Sequence, residues 1–165
     1  MKRNRIYLSL GSNLGNRMRN LARAREAIRK QIGDLEKESN IYQSEPWGYS
    51  SPHSFYNCTL AVLTHLEALG VLDVLMAIEE SMGRIRNGSG YADRLIDIDL
   101  LFYGDLVMED PRLTLPHPAL EKRRFVLEPL HEIAPALVHP RSGLSIRELL
   151  ARCPDKARLI PVKED

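Results

Sequence analysis

Two aspartates one residue apart, Asp97 and Asp99, interrupt the apolar run RLIDIDLLFY at residues 94–103. The run has the composition of a strand, so alternation puts Ile96, Ile98, Leu100 and Phe102 on one face. Asp97 and Asp99 then share the other face, with Cα atoms roughly 6.5–7 Å apart. Two carboxylates this close repel unless positive charge lies between them. A hard cation such as Mg²⁺ suits the pattern, because it takes one or two carboxylates together with substrate phosphates. Two aspartates so placed are able to hold two ions that bridge a nucleotide's phosphates. Strand acids also occur for solubility alone, so the pair carries meaning only if phosphate-binding cations accompany it.

Those cations are present. Arg84, Arg86 and Arg94 bracket a glycine-rich stretch just before the acids, and Arg112, His117, Arg123 and Arg124 follow them. The planar guanidinium fork matches phosphate oxygens, although any single arginine is as readily a surface group. Aromatic residues make up only 6% of the chain, and Trp47, Phe55 and Phe125 stand at loop or strand ends beside polar residues. Phe55 and Asn57 share a strand face, and a ring with an amide suits a flat heteroaromatic ligand. Core packing is the ordinary alternative for each ring. Other chemistries find no foothold: there is no Walker A run, GxGxxG, GxSxG or HExxH. GSNLGNR at residues 11–17 lacks the Lys-Ser/Thr pair of a phosphate loop and reads as a turn.

The elements that must position these groups follow from periodicity. A short strand at 6–10 runs into that turn, and apolar spacing predicts a helix over 16–32 that stops near Gly33. Strands at 39–44 and 55–63 pair across the loop EPWGYSSPHS, and a second helix over 69–82 ends with Gly83 as cap. After the acid-bearing strand, Pro111, Pro116, Pro118, Pro129 and Pro135 limit helix to a short piece around 119–128. A short helix at 146–150 and an edge strand at 159–162 close the chain. The order β-α-β-β-α-β with an antiparallel hairpin predicts an α+β plait, a sheet with helices packed on it.

Length and composition bound the rest. The 165 residues are 44% hydrophobic and 27% charged with a net charge of +1, the profile of one domain, residues 1–165, with a full core. No run approaches a membrane span, and the apolar part of MKRNRIYLSL is too short for a signal peptide. Cys58 and Cys153 form neither a metal spacing nor a disulfide framework, which points to the cytoplasm. Residues 1–30 carry nine Lys and Arg against Glu26 alone. A solvated helix face is the expected reading, with an anion- or nucleic-acid-binding surface as the alternative.

GSNLGNR, YQSEPWGY followed by FYN, GRIR, RLIDIDLLFY, LPHP and RFVLEPLHEIAP occur in an order and spacing that resembles the 6-hydroxymethyl-7,8-dihydropterin pyrophosphokinase family. The resemblance extends from about residue 5 to 162. It implies a ferredoxin-like plait, mainly antiparallel, and transfer of diphosphate from ATP to the pterin hydroxymethyl group with release of AMP, a step of folate biosynthesis. It implies that Asp97 and Asp99 bind two Mg²⁺ ions and that Arg84 and Arg94 act on the phosphates. Glu79, Ile98, Arg112, His117 and Arg123 would complete the ATP site. Ser44, Trp47 (through its backbone), Phe55, Asn57 and Phe125 would hold the pterin between the two rings and along its polar edge. Small-molecule partners follow, with neither nucleic acid nor membrane bound, and a monomer is the expected state with an oligomer as the alternative. The chain departs from the family where Ala92-Asp93-Arg94 replaces an often-seen Gly-Pro-Arg, Tyr91 a tryptophan and Met76 a glutamine. An RNA-binding plait and a relative that binds without turnover are the rival readings. The first lacks an RNP-like segment, and the second rests on Asp93 and Met76.

Overall fold

The structure is a computed structural model that describes residues 2–83 and 92–163. Strand β1 (Asn4–Ser12) is central and buried along most of its length, which is why it reads as nearly continuous apolar sequence. Helix α1 (Arg17–Gln31) starts where the Asn16 side chain accepts from the Arg19 N–H at 3.0 Å, and it buries Leu21, Ala24 and Ile28. Strands β2 (Gly33–Glu38), β3 (Tyr42–Ser44) and β4 (Phe55–Thr64) follow, then helix α2 (Ala68–Ser81) and strand β5 (Asp97–Tyr103). Gly83 has φ +103°, the left-handed conformation expected of a helix cap. The sheet runs β5-β1-β4-β3, with β2 also on β4, and each of these pairs is antiparallel. Strand β8 (Ile160–Pro161) adds to the edge at β3. This is the α+β plait the pattern predicts.

The two faces of the sheet are covered differently. Beneath α1 and α2, Leu8, Leu10, Leu60 and Ile98 pack with Leu21, Ile28, Leu75 and Ile78. On the opposite face α3 (Arg124–Ile133) and α4 (Ile146–Arg152) bury Tyr7, Ala61 and Phe102 with Leu127, Leu130 and Leu149. At some 25 cal/mol per Å² of apolar surface, these two cores supply the main favourable term of folding. The second core covers only part of its face. The remainder, floored by Ser9, Gly11, Asp97 and Asp99, is left to the site.

Several expectations change. Of the strand anticipated at 39–44 only Tyr42–Ser44 forms, as β3, because residues 39–41 break the ladder; ahead of them Gly33 opens β2, a strand the sequence pattern did not indicate. Prolines do not confine the helix to 119–128. A 3₁₀ turn (Leu120–Lys122) precedes α3, which continues past Pro129 to Ile133. Pro129 costs one helical hydrogen bond, offset by burial of Val126, Leu127, Leu130 and Ile133 on the same side. Around Pro111, β6 (Met108–Asp110) and β7 (Leu113–Leu115) form a hairpin whose turn is fastened by Asp110, its Oδ1 accepting from the Arg112 N–H at 2.9 Å.

Phe102 does not lie with Ile96, Ile98 and Leu100. The pairing of β5 with β1 slips between Tyr7 and Leu8, so that Tyr7 faces Phe102 while Leu8 faces Leu100. The extra residue, Leu101, turns Phe102 to the face that carries Asp97 and Asp99, where it joins the second core. The alternation is therefore correct for the acids and wrong beyond Leu100.

Candidate active site

Asp97 pairs with Gly11 across the ladder and Asp99 with Ser9, which sets both acids on the uncovered face. On the other side of β1, Gly11 pairs with Asn57. A Cβ at Gly11 would stand 3.1 Å from Asn57 Oδ1 and 3.3 Å from a Phe55 ring carbon, so the glycine lets both side chains lie across the floor. Asn57 is buried and its Nδ2 donates to Ser44 Oγ at 2.6 Å, which fixes the amide's orientation. Trp47 comes from the loop at 45–54 and Phe125 from the first turn of α3. These residues enclose a pocket of about 260 Å³, closed at its far end by Arg94, His117, Arg123, Asp97 and Asp99.

A second pocket, of about 390 Å³, opens on the α2 side of the same strand and is lined by Leu72, Met76, Glu79, Ile98 and Arg112. Asp97 and Asp99 line this pocket too. The two acids are therefore the wall between two compartments. Glu79 is 4% exposed, and its Oε2 accepts the Ile98 N–H at 2.9 Å, so α2 is pinned to the strand between the acids. Arg112 stands at the rim, ion-paired with Asp73 of α2.

Local electrostatics define several protonation states. Burial and the neighbouring Arg123 charge push the His117 imidazole down to about 4, while Asp97 pulls weakly the other way. His117 Nδ1 accepts from the Ala119 N–H at 3.2 Å, so the neutral ring carries its proton on Nε2. Arg123 lies over the Trp47 ring, 4.7 Å from its centroid, and 5.8 Å from that of Phe125. Burial raises the Asp93 carboxyl, but donation from Asn13, Ser51 and Tyr49 outweighs it and holds the group below the usual carboxylate range. Asp93 is thus engaged away from Arg94 (only its backbone carbonyl meets the Arg94 guanidinium, at 3.5 Å).

The first pocket gathers Ser44, Trp47, Phe55, Asn57 and Phe125 together with Arg94, Asp97, Asp99, His117 and Arg123. The second gathers Glu79, Ile98 and Arg112 with the same two acids. Arg123, expected near the triphosphate or nucleotide, lies in the first pocket with Arg94, His117 and the two acids and stacks on the Trp47 ring. Arg84, Arg86 and Tyr91 lie outside the described residues. The sequence reading overlooked Asn13, Tyr49 and Ser51, which organise the loop over the first pocket. The signal was available in GSN, whose asparagine was taken for turn chemistry alone.

The chain that forms this two-compartment site matches the family model of 7,8-dihydro-6-hydroxymethylpterin-pyrophosphokinase over residues 7–135. The chain belongs to this family. It is 43% identical over 140 residues to the 2-amino-4-hydroxy-6-hydroxymethyldihydropteridine pyrophosphokinase of Porphyromonas gingivalis, covering 83% of this chain and 95% of that one. With the protein of the same name from Methylorubrum extorquens it shares 41% identity over 149 residues, covering 90% and 92% of the two chains. In structure it is similar to the wild-type HPPK-DHPS of Plasmodium falciparum, with a TM-score of 0.74 at 20% identity, which shows the shared fold. That match covers 92% of this chain and 45% of the Plasmodium chain, so this chain spans less than half of it.

Proposed function

We propose that the two pockets hold the two substrates of the family's reaction, with diphosphate passing from ATP to 6-hydroxymethyl-7,8-dihydropterin across Asp97 and Asp99. The reaction is the pyrophosphokinase step of folate biosynthesis and yields the pterin diphosphate and AMP. One observation carries the assignment of the pockets: the acids line both compartments.

The pterin lies between Phe55 and Phe125 with its polar edge along Asn57 and Ser44, and Trp47 covers it from the loop. ATP occupies the α2 side, near Glu79, Ile98 and Arg112. The carboxylates fit a hard divalent ion: they are two oxygen donors on one strand face. An ion held by these two carboxylates would take its remaining ligands from substrate phosphate and water, as Mg²⁺ commonly does. When bound at Asp97 and Asp99, two Mg²⁺ ions supply neutralisation of the triphosphate and acidify the pterin hydroxyl.

The chain's own residues position and screen. The pterin hydroxyl oxygen attacks the β-phosphorus and its proton passes to solvent, while the bond from the β-phosphorus to the oxygen bridging to the α-phosphate breaks and AMP departs with that oxygen. Arg94, with Arg84, balances charge on the diphosphate in transfer, and His117, neutral near pH 7, offers its Nε2–H to a phosphate oxygen. The chain acts as one domain, residues 1–165, and as a cytoplasmic monomer. No helix among the described residues is long and apolar enough to cross a membrane. Its basic first helix is a solvated face, in keeping with Arg29 on Glu26, Arg25 on Glu38, and Arg17 stacked on Tyr56. Incubation with ATP and 6-hydroxymethyl-7,8-dihydropterin should give AMP with Mg²⁺ and none with EDTA. Formation of ADP, or nucleotide turnover that ignores the pterin, would overturn this reading.

A further inference from the structure

The loop at 45–54 has no regular structure apart from bends, yet it brings Trp47 and Tyr49 to the pterin pocket. It is fastened at two places. At its end, Arg17 donates to the Ser54 carbonyl at 3.0 Å and to Ser54 Oγ at 2.9 Å. At its tip, Tyr49 Oη donates to Asp93 Oδ1 at 2.9 Å and Ser51 Oγ to Asp93 Oδ2 at 3.1 Å. Buried Asn13 joins this latch to the strand entry. Its Nδ2 reaches Asp93 Oδ1 at 2.8 Å and the His53 carbonyl at 3.0 Å, while its Oδ1 accepts the Arg94 N–H at 2.7 Å. The backbone closes the same link, with Asn13 N–H donating to the Arg94 carbonyl at 2.9 Å.

We propose that Asp93 is a positioning residue: its carboxylate ties the loop bearing Trp47 and Tyr49 to Arg94 and so assembles the pterin pocket before the pterin arrives. It touches no reacting atom. Its two oxygens accept from three side chains that belong to two separate segments. A loop held in its binding conformation loses less freedom when ligand enters, so the latch acts on affinity rather than on the chemical step. The inference deepens the pterin assignment and rests on it.

The test is pterin binding without nucleotide, by titration with 6-hydroxymethyl-7,8-dihydropterin, alongside steady-state kinetics of the same proteins. Asp93→Ala should weaken pterin binding about tenfold, roughly the worth of one charge-assisted hydrogen bond. KM for the pterin should rise with it while kcat stays within about twofold. Asp93→Asn should recover most of the affinity, because its amide oxygen still accepts from Asn13 and Tyr49 and its NH₂ can donate to Ser51 Oγ. Tyr49→Phe should weaken binding by less than Asp93→Ala, and the double variant should be no worse than Asp93→Ala alone. Unchanged binding in folded Asp93→Ala, equal damage from Asn and Ala, or additive losses would each overturn the latch. Should Asp93→Ala fail to fold, Tyr49→Phe with wild-type affinity would overturn it. A wild-type protein that binds pterin without making AMP would sink the proposed reaction but not the latch; one that binds no pterin would sink both.

Discussion

Replacing Glu79 by alanine tests whether that buried carboxylate is kept for the strand rather than for its helix. Glu79 stands in the last turn of α2, where a negative charge opposes the helix dipole, and that turn has no basic residue to offset it. The carboxylate accepts from the Ile98 N–H, at a strand residue only 5% exposed. Alanine leaves this buried donor without its acceptor, a penalty of about 1–3 kcal/mol. The small void left by the shortened side chain adds to it, while relief of carboxylate desolvation subtracts. A net loss of about 2 kcal/mol results, or a fall in Tm of roughly 4–8 °C for a domain of this size. Glu79→Gln keeps an acceptor at the same reach and should lose less than about 1 kcal/mol. Urea denaturation followed by far-UV circular dichroism reads both variants. Alanine as stable as wild type, or glutamine as damaging as alanine, would refute the assignment of this bond as the reason for a buried acid.

Asp97→Ala and Asp99→Ala should each nearly abolish AMP formation, at a cost of several kcal/mol in the barrier, while pterin binding without nucleotide persists; wild-type turnover in either would remove their role. His117 has a folded pKa of about 4 against an ordinary 6.5, so the unfolded chain binds more protons between those values. Stability should therefore rise from pH 4 to 6.5 by on the order of 2–3 kcal/mol, and His117→Gln should flatten that rise in urea titrations at pH 4.5 and 7. Asp73→Ala frees Arg112 from an exposed ion pair, which should change stability by less than about 1 kcal/mol. It should nonetheless shift KM for ATP severalfold with KM for the pterin unchanged, and equal shifts in both would show that Arg112 does not belong to the ATP pocket.

The plait was legible because its signals are local and periodic. Leu21, Ala24 and Ile28 mark one face of α1, and the alternation around Asp97 and Asp99 set both acids on a common face without help from any other element. The parts that were not legible depend on distant partners. Pro129 looks like a helix stop until the apolar face beneath it is counted, and the break between β2 and β3 follows from their pairing with β4 rather than from composition. At the site, Phe55, Asn57 and Phe125 were identified from residue type and resemblance, and the structure brings them together. Asp93 looked like a liability beside Arg94, since nothing in its own neighbourhood of the sequence announces donors at Asn13, Tyr49 and Ser51. Its partners lie 42 to 80 positions away along the chain.

The slip at Leu101 makes strand β5 behave like a message with a reading frame. Upstream of it, even positions feed the α1–α2 core and odd positions carry acids; downstream the parity inverts and Phe102 serves the layer under α3. Gain or loss of a single residue in this strand therefore does not shorten or lengthen a ladder by one rung. It exchanges the tenants of two layers, sending carboxylates toward apolar packing or Phe102 away from its ring partner Tyr7. The strand's length is therefore as much a part of the site as its acids, since one added or lost residue would displace Asp97 and Asp99 from the face that the pockets use.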